Sequence, residues 1–234
     1  MPSRPLVLTE EEIRQAAKTL ESRAPEESLR WALDTFGDRI SLASSFGLED
    51  MCLIDMLSLL TPAPRVFYLD TGLLFGETYA LIDEVRERYG IEPVRVTPFL
   101  TVEEQAETLG PALWAQDPDR CCHVRKVEPL TRHLAGESAW ITGIRREQTP
   151  ARARAQVVEP DPRFSVIKVN PLVRWTTDDV WTYIRGRNVP YNRLHARGYP
   201  SIGCRPCTVP VAPGQDPRSG RWAMSPKTEC GLHQ

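Results

Sequence analysis

Behind Thr9-Glu10-Glu11-Glu12, apolar Ile13, Ala16, Ala17 and Leu20 recur at helical spacing. Thr9 can cap this helix and Glu12 can answer from its third position, which makes a capping box. The pattern predicts a first helix ended by Pro25 and a second from about Glu26 to Phe36. Gly37 and Asp38 then turn the chain into Arg39 to Ser44, whose alternation predicts a strand. From there strand, loop and helix repeat. A helix is expected around Glu49 to Leu60, a strand over Val66 to Leu69, a helix around Phe75 to Tyr89 closed by Gly90, and a strand at Pro93 to Val96. Ala139 to Gly143 and Ser165 to Val169 read as two more strands, and Thr176 to Arg187 as a capped helix with Asp178 and Asp179 in its first turn. This order predicts an α/β protein with a parallel twisted sheet flanked by helices, in which ligands sit beyond the carboxyl ends of the strands.

After Pro190 the periodicity stops, and proline, glycine and arginine dominate. The expected organisation is therefore an α/β domain over residues 1–190 and a C-terminal segment, 191–234, that is ordered by packing or ligands and is not an independent domain. The longest apolar run, Met51 to Leu60, is broken by Asp55 and Ser58 and falls far short of the roughly 20 residues of a membrane span. Met1 to Pro5 leads into an acidic helix without the apolar centre of a signal peptide. A cytoplasmic protein without a membrane partner is expected, its six cysteines starting as thiols.

Charge changes the picture. The formal net charge is −2, yet residues 1–120 carry 22 acidic and 11 basic side chains, and residues 121–234 carry 9 acidic and 18 basic. Arginines spread over several loops suit a compact polyanion, because a guanidinium matches phosphate or sulfate oxygens with paired donors. Nucleic acid ranks below such a ligand, since the sequence pI is near 6.1 and no reading motif is present.

Three loops carry candidate anion chemistry. Ser44-Ser45-Phe46-Gly47 lies between a strand and a helix, where hydroxyls and backbone N–H groups can hold an anion, although the run lacks the glycines and lysine of a phosphate loop. Asp70-Thr71-Gly72 ends the next strand and also reads as an ordinary turn. Arg145 and Arg146 follow the strand end at Gly143, with Arg152 and Arg154 shortly after, and Arg218 and Arg221 form a second basic group.

The cysteines narrow the reading further. Cys52 sits in an apolar helix and is best explained as core packing. Cys121-Cys122 and Cys204-x-x-Cys207 are two pairs about eighty residues apart, which in a chain without secretion signals points to a metal centre rather than disulfides. Vicinal ligands are awkward around one tetrahedral zinc but can bind different irons of a cluster; the spacing favours iron–sulfur and leaves zinc open. Cys230 stands apart, flanked by Lys227 and His233, which can lower a thiol pKa.

Taken in order, Ser44-Ser45-Phe46-Gly47, Leu69-Asp70-Thr71-Gly72, Cys121-Cys122-x-x-Arg125-Lys126, Thr142-Gly143-Ile144-Arg145-Arg146, Cys204-x-x-Cys207 and Glu229-Cys230-Gly231-Leu232-His233 resemble the sulfonucleotide reductases. Within them the sequence looks like the thioredoxin-dependent adenylyl-sulfate (APS) reductases. The resemblance implies an adenine nucleotide alpha-hydrolase-like fold, one 4Fe-4S cluster on Cys121, Cys122, Cys204 and Cys207, and Cys230 as the nucleophile. It further implies Ser44, Ser45, Asp70, Lys126, Arg145, Arg146, Arg218 and Arg221 as substrate-binding residues, with Lys126 as the link between cluster and substrate. The expected reaction converts APS to sulfite and AMP through an enzyme S-sulfocysteine, with thioredoxin or a glutaredoxin-like protein as reductant. The alternatives are a phosphoadenylyl-sulfate (PAPS) or dual-specificity reductase, an ATP-dependent adenylating thiolation enzyme, and a structural zinc module. No role is assigned to His233, and self-association is left open.

Overall fold

A computed structural model describes residues 8–223 and 225–232; Met1 to Pro5 and His233 lie outside the described residues. The first helix, α1 (Glu10–Leu20), begins with the expected capping box, Glu12 N–H donating to the Thr9 hydroxyl at 3.2 Å. Pro25 does not end it. The helix stops at Leu20, and Pro25 instead opens α2 (Pro25–Phe36), where its missing N–H costs nothing because the first-turn donors have no helical acceptors. There follow β1 (Ile40–Ala43), α3 (Leu48–Leu60), β2 (Val66–Leu69), α4 (Gly76–Tyr89) and β3 (Val94–Val96). Gly90 closes α4 in the left-handed conformation at φ 65°.

Residues 97–138 show no periodicity in the sequence that assigns them to an element. They hold the short helices α5 (Val102–Leu109), α6 (Leu113–Gln116) and α7 (Pro118–Cys122), a π-helical turn over His123–Val127, and α8 (Glu128–Leu134). Four to eight residues give too few turns for an apolar stripe to declare itself. The chain continues through β4 (Ala139–Ile141), β5 (Val158–Asp161), β6 (Val166–Val169) and α9 (Thr177–Arg187), whose N-cap is Thr176 as expected.

The described strands form one six-stranded sheet in the order β3-β2-β1-β4-β6-β5. Its pairs are parallel with one exception: β5 runs antiparallel to β6, pairing Pro160 with Ile167. The sheet is thus mixed rather than purely parallel. Proline and two acidic residues hide β5 in the sequence, and they are tolerated because an edge strand has one side free of ladder bonds.

Strand alternation sorts the core. Ile40, Leu42, Tyr68, Ile141 and Val169 face α2, α3, α4 and α9, whereas Phe67, Trp140 and Val166 face α8 through Leu130 and Leu134. Helix α3 is buried on nearly all sides, and Cys52 packs in its apolar interior. The same helix buries two carboxylates, and the one in its middle, Asp55, accepts from Tyr89 Oη at 3.1 Å, Tyr183 Oη at 2.9 Å and Arg187 Nε at 2.6 Å. This group ties α3 to α4 and α9.

Asp55→Ala strands two phenols and a guanidinium, so it should cost roughly 2–3 kcal/mol, about 4–10 °C in a chain of this size. Thermal unfolding followed by circular dichroism checks this; an unchanged Tm would show that the three helices are held by apolar packing alone.

Candidate functional site

The loops after β1, β2 and β4 open at the same edge of the sheet, as expected for parallel strands, and residues 200–232 fold across them. Together they enclose a cavity of about 640 Å³. Ser44, Ser45, Lys126, Arg145, Arg146, Arg152, Arg218, Arg221 and Cys230 all line it. The structure therefore brings into one place basic groups separated by up to ninety-five residues and the cysteine singled out from the sequence.

The β1 loop differs from a simple anion cradle. Phe46 adopts φ 58°, unusual for a residue with a side chain, and Asp50 from the first turn of α3 turns back into the loop. Its carboxylate accepts the Ser45 N–H at 2.6 Å and the Ser45 hydroxyl at 2.8 Å. The Ser45 donors are thus taken by the chain's own carboxylate, while the Ser44 hydroxyl accepts the Phe46 N–H at 3.1 Å. Burial pushes Asp50 up to about 6, against the lowering effect of the Ser45 hydrogen bonds. Gly143 at the end of β4 fits only because it has no side chain: a Cβ there would strike Asp50 and Glu49.

Asp70 does not line the cavity. It is buried behind it, accepting from the Gly72 N–H at 2.9 Å, Tyr79 Oη at 2.7 Å and Arg95 Nε at 2.6 Å. The turn that the sequence also allowed is what forms, and Asp70 shapes the β2 loop from behind the cavity wall.

Arg145 and Arg146 reach the cavity wall with several of their donors engaged by the chain itself. Arg145 bonds Glu49 at 2.8 Å, ion-pairs with Glu147, and donates to the Trp175 carbonyl and the Thr177 hydroxyl, both at 3.2 Å. Arg146 makes a two-pronged pair with Glu21 at 2.6 and 2.9 Å and donates to the Ala155 carbonyl. Both line the cavity, as the sequence places them, and they also clamp the β4 loop to α3, α9 and the end of α1.

The free cationic character lies on the opposite wall. Lys126 lines both this cavity and the space between the four cysteines. Burial disfavours its charge, but the thiols of Cys204, Cys230 and Cys122 outweigh that and raise its pKa. Arg221 spends one nitrogen on the Ser201 hydroxyl at 3.2 Å and lies over the Trp222 ring at 4.6 Å. It passes so close to Gly203 that a Cβ there would collide with the guanidinium. The Cys230 thiol is pushed up by burial, and Lys126, the Leu232 N–H, Arg221 and Arg152 together bring it below its ordinary value. A thiolate is the nucleophilic form, so these neighbours favour reaction at sulfur.

Cys121, Cys122, Cys204 and Cys207 line a second, smaller cavity with Leu73, Trp114, Pro118 and Trp222. Cys121 and Cys122 end α7, where the π-helical turn begins and sends Lys126 toward the first cavity. Cys204 and Cys207 flank a 3-10 turn whose Arg205 N–H donates to the Leu73 carbonyl at 2.7 Å, fastening the C-terminal segment to the β2 loop. The Thr71 hydroxyl lies 3.3 Å from Cys204 Sγ. Among the described residues, no three His, Cys, Asp or Glu side chains converge closely enough to hold a single metal ion. Four thiols around a shared dry space, with apolar walls and a lysine at its border, are a donor set suited to a multinuclear iron–sulfur group. Burial raises the Cys121 thiol to about 12 and the Cys207 thiol to about 11, so metal loading would displace protons there.

Sequence reasoning missed Glu229 as a site residue and left Arg152 outside the substrate set. Arg152 donates to Glu229 at 3.0 and 2.8 Å across seventy-seven residues, a pairing without any local signature. In the sequence Arg125 stands out only as part of the Cys121-Cys122-x-x-Arg125-Lys126 motif. It is buried and donates to the Thr71 carbonyl at 2.5 Å and to Gln105 at 3.0 Å, bracing the cysteine helix against the β2 loop.

Residues 39–210 match the phosphoadenosine phosphosulfate reductase domain family. The chain is 51% identical over 207 residues to adenosine 5'-phosphosulfate reductase 2 of Bacillus subtilis, covering 88% of both chains. It is 47% identical over 223 residues to adenosine 5'-phosphosulfate reductase of Halalkalibacterium halodurans, covering 95% of this chain and 96% of that one. Among solved structures, the phosphoadenylyl-sulfate reductase of Candida auris in complex with phosphate aligns with a TM-score of 0.77 at 33% identity, covering 88% of this chain and all of the other. The FMN adenylyltransferase of Candida glabrata, at 16% identity and a TM-score of 0.59, shares the fold alone. The match over most of its length, and the convergence of its six motifs on two adjoining cavities, show that the chain belongs to the sulfonucleotide reductases, the family built on the phosphoadenosine phosphosulfate reductase domain.

Proposed function

We propose that the protein reduces APS to sulfite and AMP through an S-sulfocysteine on Cys230, with a thioredoxin-type dithiol protein as electron donor. The observation that carries this reading is the position of Cys230: it opens on the large cavity beside Lys126, Arg218 and Arg221, with the four-cysteine cavity sharing the same wall. The relatives that bear the APS reductase name, at about half identity over nearly the whole chain, support the substrate.

The chemistry follows from charge. The Cys230 thiolate attacks the sulfur of the sulfate group, a sulfur–sulfur bond forms, and the bond from sulfur to the bridging oxygen breaks as AMP leaves. An anion approaching an anion is repelled, so fixed cations must offset both charges in the transition state. Lys126 and Arg221 lower the Cys230 pKa and face the same space, which lets them act on thiolate and phosphosulfate together. Arg218 adds a third cation at this wall. A thiol of the reductant then attacks Cys230 sulfur, sulfite departs, and the second thiol resolves the mixed disulfide. The two electrons come from the dithiol.

Cys121, Cys122, Cys204 and Cys207 would hold one 4Fe-4S cluster, which when bound supplies a compact anchor tying α7 to the C-terminal segment beside Lys126. A PAPS or dual-specificity reductase is the second reading, favoured by the Candida auris structure among the solved ones. Sulfite release measured in parallel with APS and PAPS, using thioredoxin, separates the two.

Replacing any one of Cys121, Cys122, Cys204 or Cys207 by serine should remove the brown visible absorption and lower Tm, whereas Cys52→Ser should spare the colour; full iron content in the Cys122 variant would take it out of the ligand set. With APS and no reductant, mass spectrometry should find an adduct of about 80 Da, the mass of SO₃, on Cys230. Cys230→Ser should keep the colour and bind APS while releasing no sulfite. Sulfite formation without any adduct would sink the covalent route.

A further inference from the structure

Glu229 precedes Cys230 and is buried, with 5% of its surface exposed. It does not line the cavity, yet every side chain that donates to it does. Arg152 donates through Nε and Nη2 at 3.0 and 2.8 Å, the Thr149 hydroxyl at 2.9 Å and Arg218 Nη2 at 3.3 Å. Arg152 completes its set with Gln148, and Arg218 also donates to the Thr228 carbonyl at 2.9 Å. Two arginines from distant segments thus share one carboxylate behind the wall, leaving an excess positive charge on the cavity side.

The residues around Cys230 are pinned as well. Arg163, at the tip of the β5–β6 hairpin, donates to the Gly231 carbonyl, and Gly231 takes φ 80°. Leu232 packs against the apolar cluster of Phe67, Leu130, Trp140 and Phe164. On the other side Lys227 pairs with Asp119 of α7. Cys230 is therefore suspended between a polar anchor one residue before it and an apolar anchor two residues after it. The apolar anchor can slide, since packing has no direction. The Glu229 carboxylate, gripped by three side chains, fixes the backbone on one side of the thiol, and the Arg163 bond to the Gly231 carbonyl restrains it on the other.

We propose that Glu229 is a positioning residue: acting through Arg152 and Arg218, it aims the Cys230 thiol into the cavity and holds the two guanidiniums where the phosphosulfate must lie. The inference rests on the reading of Cys230 as nucleophile. It assigns Glu229 no contact with substrate and no proton transfer. Its carboxylate pKa is held low, burial being outweighed by the hydrogen bonds and charges of Arg152 and Arg218, so the anchor keeps its charge across the neutral range.

The test compares the iron-loaded wild type with Glu229→Gln and Glu229→Asp. Glutamine keeps the volume and an acceptor but loses the charge; aspartate keeps the charge on a shorter arm. Glu229→Gln should slow formation of the Cys230 sulfonate adduct from saturating APS at least tenfold in a single turnover, with AMP affinity within about threefold of wild type and iron content unchanged. Glu229→Asp should recover part of the lost rate. Iodoacetamide should alkylate Cys230 faster in Glu229→Gln than in wild type, in the absence of nucleotide. A wild-type adduct rate in Glu229→Gln overturns the inference. So does an equal loss of rate and of AMP affinity, or loss of iron, because either would make the carboxylate a general support of the fold. Should the wild type itself form no adduct, the functional reading fails and the alkylation rates alone decide whether Glu229 holds the thiol: unchanged rates refute it.

Discussion

Arginines gathered at the carboxyl edge of the sheet repel one another, and four of them are held in place by carboxylates. Arg145 meets Glu49 and Glu147, Arg146 meets Glu21, and Arg152 and Arg218 share Glu229. Unpaired charges at this degree of burial would cost several kcal/mol each, so the pairs are a condition for closing the cavity at all. They also divide the arginines by task. Arg145 and Arg146 brace the β4 loop, Arg152 and Arg218 share one carboxylate behind the cavity wall, and Arg221 is bound to neutral oxygens.

The same economy appears in the helix that carries the tandem cysteines. A regular α-helix from Pro118 to Leu134 would set Lys126 one turn below Cys122 on the same face, whereas the π-helical turn widens the step between them. Lys126 then serves as a shared wall between the thiol-lined cavity and the larger one. Arg125, the neighbouring residue, points the other way and is consumed in bracing the β2 loop. Two adjacent basic residues thus have different roles, as neighbours about 100° apart around a helix can.

How much of this was legible depends on the range over which each residue's signal acts. Capping at Thr9 and Thr176, the glycine closing α4 and the alternation of β1 and β2 are local; each is decided within about ten residues, and each formed where the pattern placed it within a residue or two. The edge strand β5 was hidden because its proline and acids are acceptable only next to a partner on one side. Asp70 had two local readings, and the choice fell to Tyr79 and Arg95, which the sequence alone does not bring near it.

Type and spacing of residues determined that the chain would fold as helices around a largely parallel sheet, and they marked the cysteines and arginines that gather around the cavities at one edge of it. The tertiary structure decided which arginines remain available, that Ser45 serves Asp50, and that Cys230 is held by Glu229. The reason is physical: a hydrogen bond or ion pair is set by positions in space to within a few tenths of an ångström, and partners seventy-seven or ninety-six residues apart acquire those positions only when the sheet has closed.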